Sequence, residues 1–146
     1  MHPALTEFSL TVDIPVQWGE LDAYGHVNNT VFFRYFESVR VLYLVRSGFA
    51  ASYERDKIGA ILHSTECRFR KALFYPDTVT VGGRAVDVLD DRFIMAYRIV
   101  SHAQDDVVAD GAGTIVSFDY AARVKTAIPP AVRAAIADLE NNGARG

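Results

Sequence analysis

The sequence has a single cysteine, Cys67, in 146 residues. With no second thiol it can form no disulfide within the chain, and a cysteine-rich zinc site is excluded. A cationic excess is also missing. The formal net charge is −3, so broad nucleic-acid binding, which relies on Lys and Arg to neutralise phosphates, is not expected. An anionic ligand held by a local basic patch stays open. No apolar run approaches the roughly 20 residues of a membrane span. The opening "MHPALTEFSL" lacks the basic segment and apolar run of a signal peptide. No pair of histidines or carboxylates has metal-ligand spacing, so no metal and no cofactor are expected. These absences predict a soluble cytoplasmic protein with neither a nucleic-acid nor a membrane partner.

What is present is material for a core. Half of the residues are hydrophobic, including nine Phe, seven Tyr and one Trp, and the 23% that are charged are mixed in sign. The length suits one domain over residues 1–146, with a tail from about 141 expected to fray. "FSLTVDIPV" alternates at period two, with Phe8, Leu10, Val12, Ile14 and Val16 on one side, and predicts a strand. Pro15 cannot donate to a ladder, which puts that strand at or near a sheet edge.

In "TVFFRYFESVRVLYLVRSG", Phe32, Phe36, Val39 and Tyr43 recur at helical spacing, and Val31, Phe33 and Leu44 widen the stripe. The expectation is a helix over 28–47, buried on most sides, capped by Asn28 or Asn29 and stopped at Gly48. Strand patterns then follow over 58–73, 78–89, 92–102 and 107–120, with turns near 75–77, 90–91 and 103–106. Gly82-Gly83 suggests a bulge or bend. "PPAVRAAIADLE" predicts a short terminal helix. A buried helix with four successive strands implies an α+β fold, an antiparallel sheet wrapped around the helix. Apolar residues left on the outer face would favour a homodimer or homotetramer.

The densest chemistry lies in "WGELDAYGHVNN", residues 18–29, where a strand gives way to the long helix. A helix start has N–H groups without intrahelical partners and a partial positive charge. Asp22 lies six residues before Asn28, with Gly25 between them to allow a tight turn, so its carboxylate could reach the space those N–H groups face. Two readings are open: a loop carboxylate that caps the helix or bonds the turn, or a nucleophile or base beside an oxyanion site.

The element order, together with Trp18, Glu20, Asp22, Ala23, Gly25, His26, Asn28 and Asn29, resembles the hot-dog-fold thioesterases of the 4-hydroxybenzoyl-CoA thioesterase type. The resemblance spans nearly the whole chain and is most specific over residues 16 to 46. It implies a hot-dog fold, with a five-stranded antiparallel sheet around one long central helix. It also implies hydrolysis of acyl or aroyl thioesters, usually of coenzyme A. The family's catalytic carboxylate falls on Asp22, and its carbonyl-polarising backbone N–H on Asn29 or an immediate neighbour. Asp22 would attack the carbonyl directly or activate water.

The other candidates are less sharply defined. His26 could orient Asp22, position a water or bond across the turn. Asn28 and Asn29 are caps first, and Glu20 reads as a turn-bonding carboxylate where the family usually has Asp. Coenzyme A calls for Arg or Lys near the pocket mouth. The turn "VLDDRF" lacks the basic run of some relatives, which leaves Arg68, Arg70, Lys71 and Arg84, with "RFRK" the best patch. Gly25, Asn28, Arg70, Lys71 and Arg84 are therefore the expected substrate-binding residues. Arg34, Glu37 and Arg40 read as a salt-bridge set on the helix. His63 reads as a core or interface histidine, His2 and His102 as terminus and turn residues, and Cys67 as a buried strand residue. A carrier-protein thioester stays open as substrate. So do two other readings of the whole chain: a catalytically silent acyl-thioester-binding module, and a dehydratase on the same fold.

Overall fold

The period-two segments form one antiparallel sheet, and the long helix lies against its inner face. The computed structural model describes residues 1–143. The main strands are β1 (Leu10–Pro15), β2 (Ile58–Phe69), β3 (Thr78–Val86), β4 (Arg92–Ser101) and β5 (Asp106–Asp119). They lie in the order β1-β3-β4-β5-β2, and a two-residue β6 (Val124–Lys125) pairs with β5. The five expected strands thus form one path, with β6 as a short addition. β1 is an edge strand, as Pro15 implies. β2 does not sit beside β3, although the two are consecutive in sequence. It crosses to the far edge and pairs with β5.

That crossing matters for the site. The chain leaving β2 returns past the start of the long helix, where the carbonyl of Leu73 accepts the N–H of Val27 at 2.8 Å.

Helix α1 (Asn29–Arg46) has Asn28 as its cap, and Gly48 follows with φ 86°, a conformation that favours glycine. Val31, Phe32, Tyr35, Phe36, Val39 and Tyr43 are buried. The burial is one-sided, contrary to the expectation of a helix covered on most sides. Arg34 and Glu37 face solvent, and so do Val41 and Val45, at 53% and 57% exposure. The sheet covers a single face of α1, so apolar residues beyond that face stay open. Glu37 and Arg40 pair at 3.8 Å, and Arg40 also donates to the hydroxyl of Tyr97 at 3.2 Å.

A second helix, α2 (Phe49–Asp56), was not expected from the sequence. It has eight residues, only Phe49 and Ser52 are buried, and left-handed residues flank it on both sides. A segment so short carries too few apolar positions to show a period.

The terminal helix α3 (Pro130–Gly143) runs three residues past the expected end at 140; residues 144–146 lie outside the described residues. Its Glu140 accepts the hydroxyl of Tyr43, the hydroxyl of Ser9 at 3.0 Å and the N–H of Ala85 at 3.1 Å. Ala85 lies past the last β1–β3 pair, Leu10↔Gly83, so the carboxylate takes a strand N–H that β1 no longer reaches.

Gly82 and Gly83 make no bulge, and both pair in register with β1 and β4. Their role is close approach. A Cβ on Gly82 would stand 2.8 Å from the ring of Phe8, and one on Gly83 would stand 3.0 Å from both methyls of Val39. The register shifts fall elsewhere, at Leu62/Ser64 and at Ile99/Val100. His63 sits at the first shift and is exposed, not in the core. Cys67 is half-buried, and burial, with Asp110 adding, pushes its thiol up to about 11. That favours the protonated thiol at neutral pH. Among the described residues, no helix is long and apolar enough to cross a membrane, and no group of three or more His, Cys, Asp or Glu is placed to hold a metal ion.

Candidate active site

Residues 18–29 fold back on themselves before the helix begins. A 3-10 turn, Trp18–Glu20, leads into an antiparallel bridge between Leu21 and Val27. Asp22 N–H donates to the carbonyl of His26 at 2.8 Å, and Asn28 N–H to that of Glu20 at 2.9 Å. Gly25 closes the tip with φ 79°, its N–H on the carbonyl of Asp22 at 3.1 Å. A side chain there would strain the left-handed backbone, which is why glycine serves the turn.

The carboxylate of Asp22 divides its two oxygens. Oδ1 accepts the N–H of Tyr24 at 2.8 Å and that of His26 at 3.4 Å. Oδ2 has no hydrogen-bond partner among the described residues. One oxygen therefore bonds the turn and does not cap the helix, and the other has no partner among the described residues.

The cap of α1 leaves a similar remainder. Asn28 Oδ1 accepts both the N–H and the hydroxyl of Thr30, at 3.0 and 2.9 Å. The carbonyl of Asn28 accepts the N–H of Val31 at 3.0 Å. The N–H groups of Thr30 and Val31 are thus occupied, while that of Asn29 has no acceptor among the described residues. A helix's first N–H, at the positive end of its dipole and without a partner, suits an anionic oxygen.

The residues that carry both remainders line one cleft of about 400 Å³, with His26, Asn28, Phe32, Phe69, Arg70, Lys71 and Leu73 among its other walls. Of the residues expected from sequence, Asp22, His26, Asn28, Asn29, Arg70 and Lys71 come together here. Gly25 shapes the turn without lining the cleft.

Arg84 is not part of the cleft. It lies on β3 beside Glu7, at 3.6 Å, and over the ring of Phe8. Its strand is separated from β2 by β4 and β5, a neighbourhood that its position in sequence does not reveal. Arg68 lines a different cavity, with Glu66, Cys67 and Asp110. The His26 ring makes no side-chain hydrogen bond among the described residues. It packs edge-on against Phe74 at 5.1 Å, so its tie to Asp22 runs through the main chain.

Phe69 was missed as a lining residue; Phe32 belongs to the helix aromatics, which read as core first with an acyl or aryl pocket open to some of them, and it lines the cleft. Their rings meet edge to face at 5.1 Å and form an apolar wall beside the polar turn. The signal was the "F" inside "RFRK", which alternation had assigned to an ordinary strand.

The two cations of the cleft are tied at its rim. Arg70 pairs with Asp110, and Lys71 with Asp106 at 2.5 Å. Burial alone would raise the pKa of Asp110, but hydrogen bonds from Arg98 and Arg70 outweigh it and hold the carboxyl below its ordinary value. The hydrogen bond from Lys71 does the same for Asp106. Each cation keeps further N–H donors for a ligand.

Residues 16–136 match a family described as the thioesterase-like superfamily. A relative from Aquifex aeolicus, named provisionally as an esterase, is 34% identical over 95 residues, which are 64% of this chain and 73% of the relative. A provisionally assigned thioesterase from Pseudomonas aeruginosa is 28% identical and superposes with a TM-score of 0.77, over 88% of this chain and 98% of its own. A thioesterase from Thermus thermophilus, solved with coenzyme A and zinc, is 27% identical with a TM-score of 0.81, over 92% and 96% of the two chains.

Proposed function

The chain belongs to the thioesterase-like superfamily, and from that premise we propose that it hydrolyses acyl or aroyl thioesters of coenzyme A, as a member of the 4-hydroxybenzoyl-CoA thioesterase type. One observation carries the reading: Asp22, with a carboxylate oxygen that has no partner among the described residues, and Asn29, with a helix-start N–H that has none either, line the same cleft.

Thioester cleavage needs a group that attacks or deprotonates water, and a donor for the oxyanion that develops. In this reading the thioester carbonyl oxygen lies against the Asn29 N–H. Asp22 Oδ2 then either attacks the carbonyl carbon, giving a mixed anhydride that water hydrolyses, or takes a proton from the attacking water. In both routes the C–S bond breaks and the thiol leaves as thiolate, so no acid is required. The acyl group packs on Phe32 and Phe69. Arg70 and Lys71, the two cations in the cleft lining, meet the anionic part of coenzyme A.

The test is thiol release from a panel of acyl- and aroyl-CoA esters and their N-acetylcysteamine counterparts. Release from at least one CoA ester is expected. Arg70→Ala should raise KM for that ester about tenfold, the value of one charge-assisted hydrogen bond of ~1.5 kcal/mol. It should leave the N-acetylcysteamine ester unaffected. No release from any ester would overturn the enzyme reading and favour a binding module.

We also expect the working unit to hold at least two copies. β2 is a long edge strand, Ile61 and Leu62 on it are about 40% exposed, and Val41 and Val45 of α1 are bare. Light scattering that gave the 16.1 kDa mass of one chain would exclude this.

A further inference from the structure

Glu20 reads from sequence as a carboxylate that merely bonds its own turn, yet it joins three separate pieces of the site. Its Oε1 accepts the N–H of Gln17 at 2.7 Å and the hydroxyl of Tyr35 at 3.2 Å. Its carbonyl accepts the N–H of Asn28 at 2.9 Å. Tyr35 belongs to α1, six residues beyond the Asn29 at which that helix begins, and is 2% exposed. One residue is therefore held by the body of α1 through its side chain and holds the cap of α1 through its main chain. Asp22 follows two residues later, past the Leu21↔Val27 bridge.

We infer that Glu20 and Tyr35 are a positioning pair, which sets the distance between Asp22 Oδ2 and the Asn29 N–H; this rests on the hydrolysis proposed above. Neither residue lines the cleft, so neither touches substrate. The physical need is plain. The tip of the polar turn, residues 23–26, is exposed, and only its ends, Leu21 and Val27, pack on the core. Without a tie to the helix body it could tilt as a unit about its two ends. A carboxylate with a buried hydroxyl supplies that tie. Burial first, and then the Glu20 charge, raise the phenol of Tyr35, which keeps it a proton donor throughout the working pH range. A displacement of the turn would separate the attacking group from the oxyanion donor, and small displacements of reacting groups are costly in rate.

Tyr35→Phe removes the hydroxyl and keeps the packed ring. It should lower kcat by about tenfold or more, with KM for the same ester little changed. Glu20→Ala should match it. The double variant should be no slower than either single, because both remove the same link. Glu20→Gln keeps an acceptor oxygen and should recover most of the rate. A readout without substrate accompanies these: amide exchange at Asn28 should speed up about tenfold in Tyr35→Phe, as local opening becomes easier.

If wild type releases no thiol from any ester, the hydrolysis reading falls, and the exchange rate alone judges the pair. Unchanged exchange at Asn28 overturns the pair. So does an unchanged kcat in a Tyr35→Phe protein that is folded at the assay temperature, whatever its melting point, and so do additive losses in the double variant.

Discussion

Asp22→Asn is expected to lower kcat for thioester hydrolysis by about 100-fold or more while leaving stability within about 0.5 kcal/mol of wild type. The two duties of the side chain separate in this substitution. The turn needs only an acceptor for the N–H groups of Tyr24 and His26, and both go to Oδ1. Asparagine keeps that oxygen, and the same two donors select the amide orientation that presents it. The other position becomes an NH2 group, which can neither attack a carbonyl nor take a proton from water. The companion change is Asn29→Pro. Proline is well suited to the first residue of a helix, where its backbone cost is the N–H alone; Asn29→Ala, which loses the side-chain amide but keeps the N–H, is the control. The preceding Asn28 already has φ −60° and ψ 141°, the extended conformation a proline demands of its predecessor. Loss of a single oxyanion donor should cost about 100-fold in kcat. Kinetics at saturating ester and a thermal melt read both variants. An Asp22→Asn enzyme that turns over like wild type would reduce Asp22 to a turn cap and end the proposed mechanism.

The turn was legible in the sequence for a physical reason. A helix start must satisfy its N–H groups locally, so the polar residues that do so are crowded into one short stretch. Asn28, Gly25 and Asp22 all act within a few residues of their own positions, and their geometry follows from their spacing. Helix α1 was legible in the same way, through Phe32, Phe36, Val39 and Tyr43. What the sequence did not reveal depends on partners far along the chain. β2 pairs with β5 across a separation of some 50 residues, and nothing in its own alternation says which neighbour it takes. Arg84 therefore looked available to the site and is not, whereas Phe69 looked like an ordinary strand residue and lines the cleft. Glu20 shows the same limit at shorter range. Its bond to Gln17 is local and was expected in kind, and its bond to Tyr35 joins residues 15 apart, which requires the helix to be folded over the turn.

Gly111→Ala should be the most damaging single methyl in the protein, destabilising it by about 3 kcal/mol and lowering the melting temperature by roughly 10 °C. Gly111 lies in β5 where the ring of Phe36 presses against the sheet. A Cβ there would stand 2.3 and 2.5 Å from two carbons of that ring and 2.7 Å from the carbonyl oxygen of Glu66 on β2. Neither neighbour can retreat. Phe36 is fully buried and stacked on Tyr97 with ring centroids 4.6 Å apart, and Glu66 is held in the ladder opposite Ala112. The clash must lift α1 from the sheet or part β2 from β5. Either movement reaches the site, because α1 carries Asn29 and β2 ends at Phe69. The added methyl should therefore reduce kcat in the folded fraction as well as stability. Phe36→Leu in the same chain frees the space and should restore part of the melting temperature, a coupling that a double-mutant cycle measures. Melting at the wild-type temperature in Gly111→Ala would mean that the helix does not seat on β5 as closely as these distances require, and that the glycine is there for some reason other than room for Phe36.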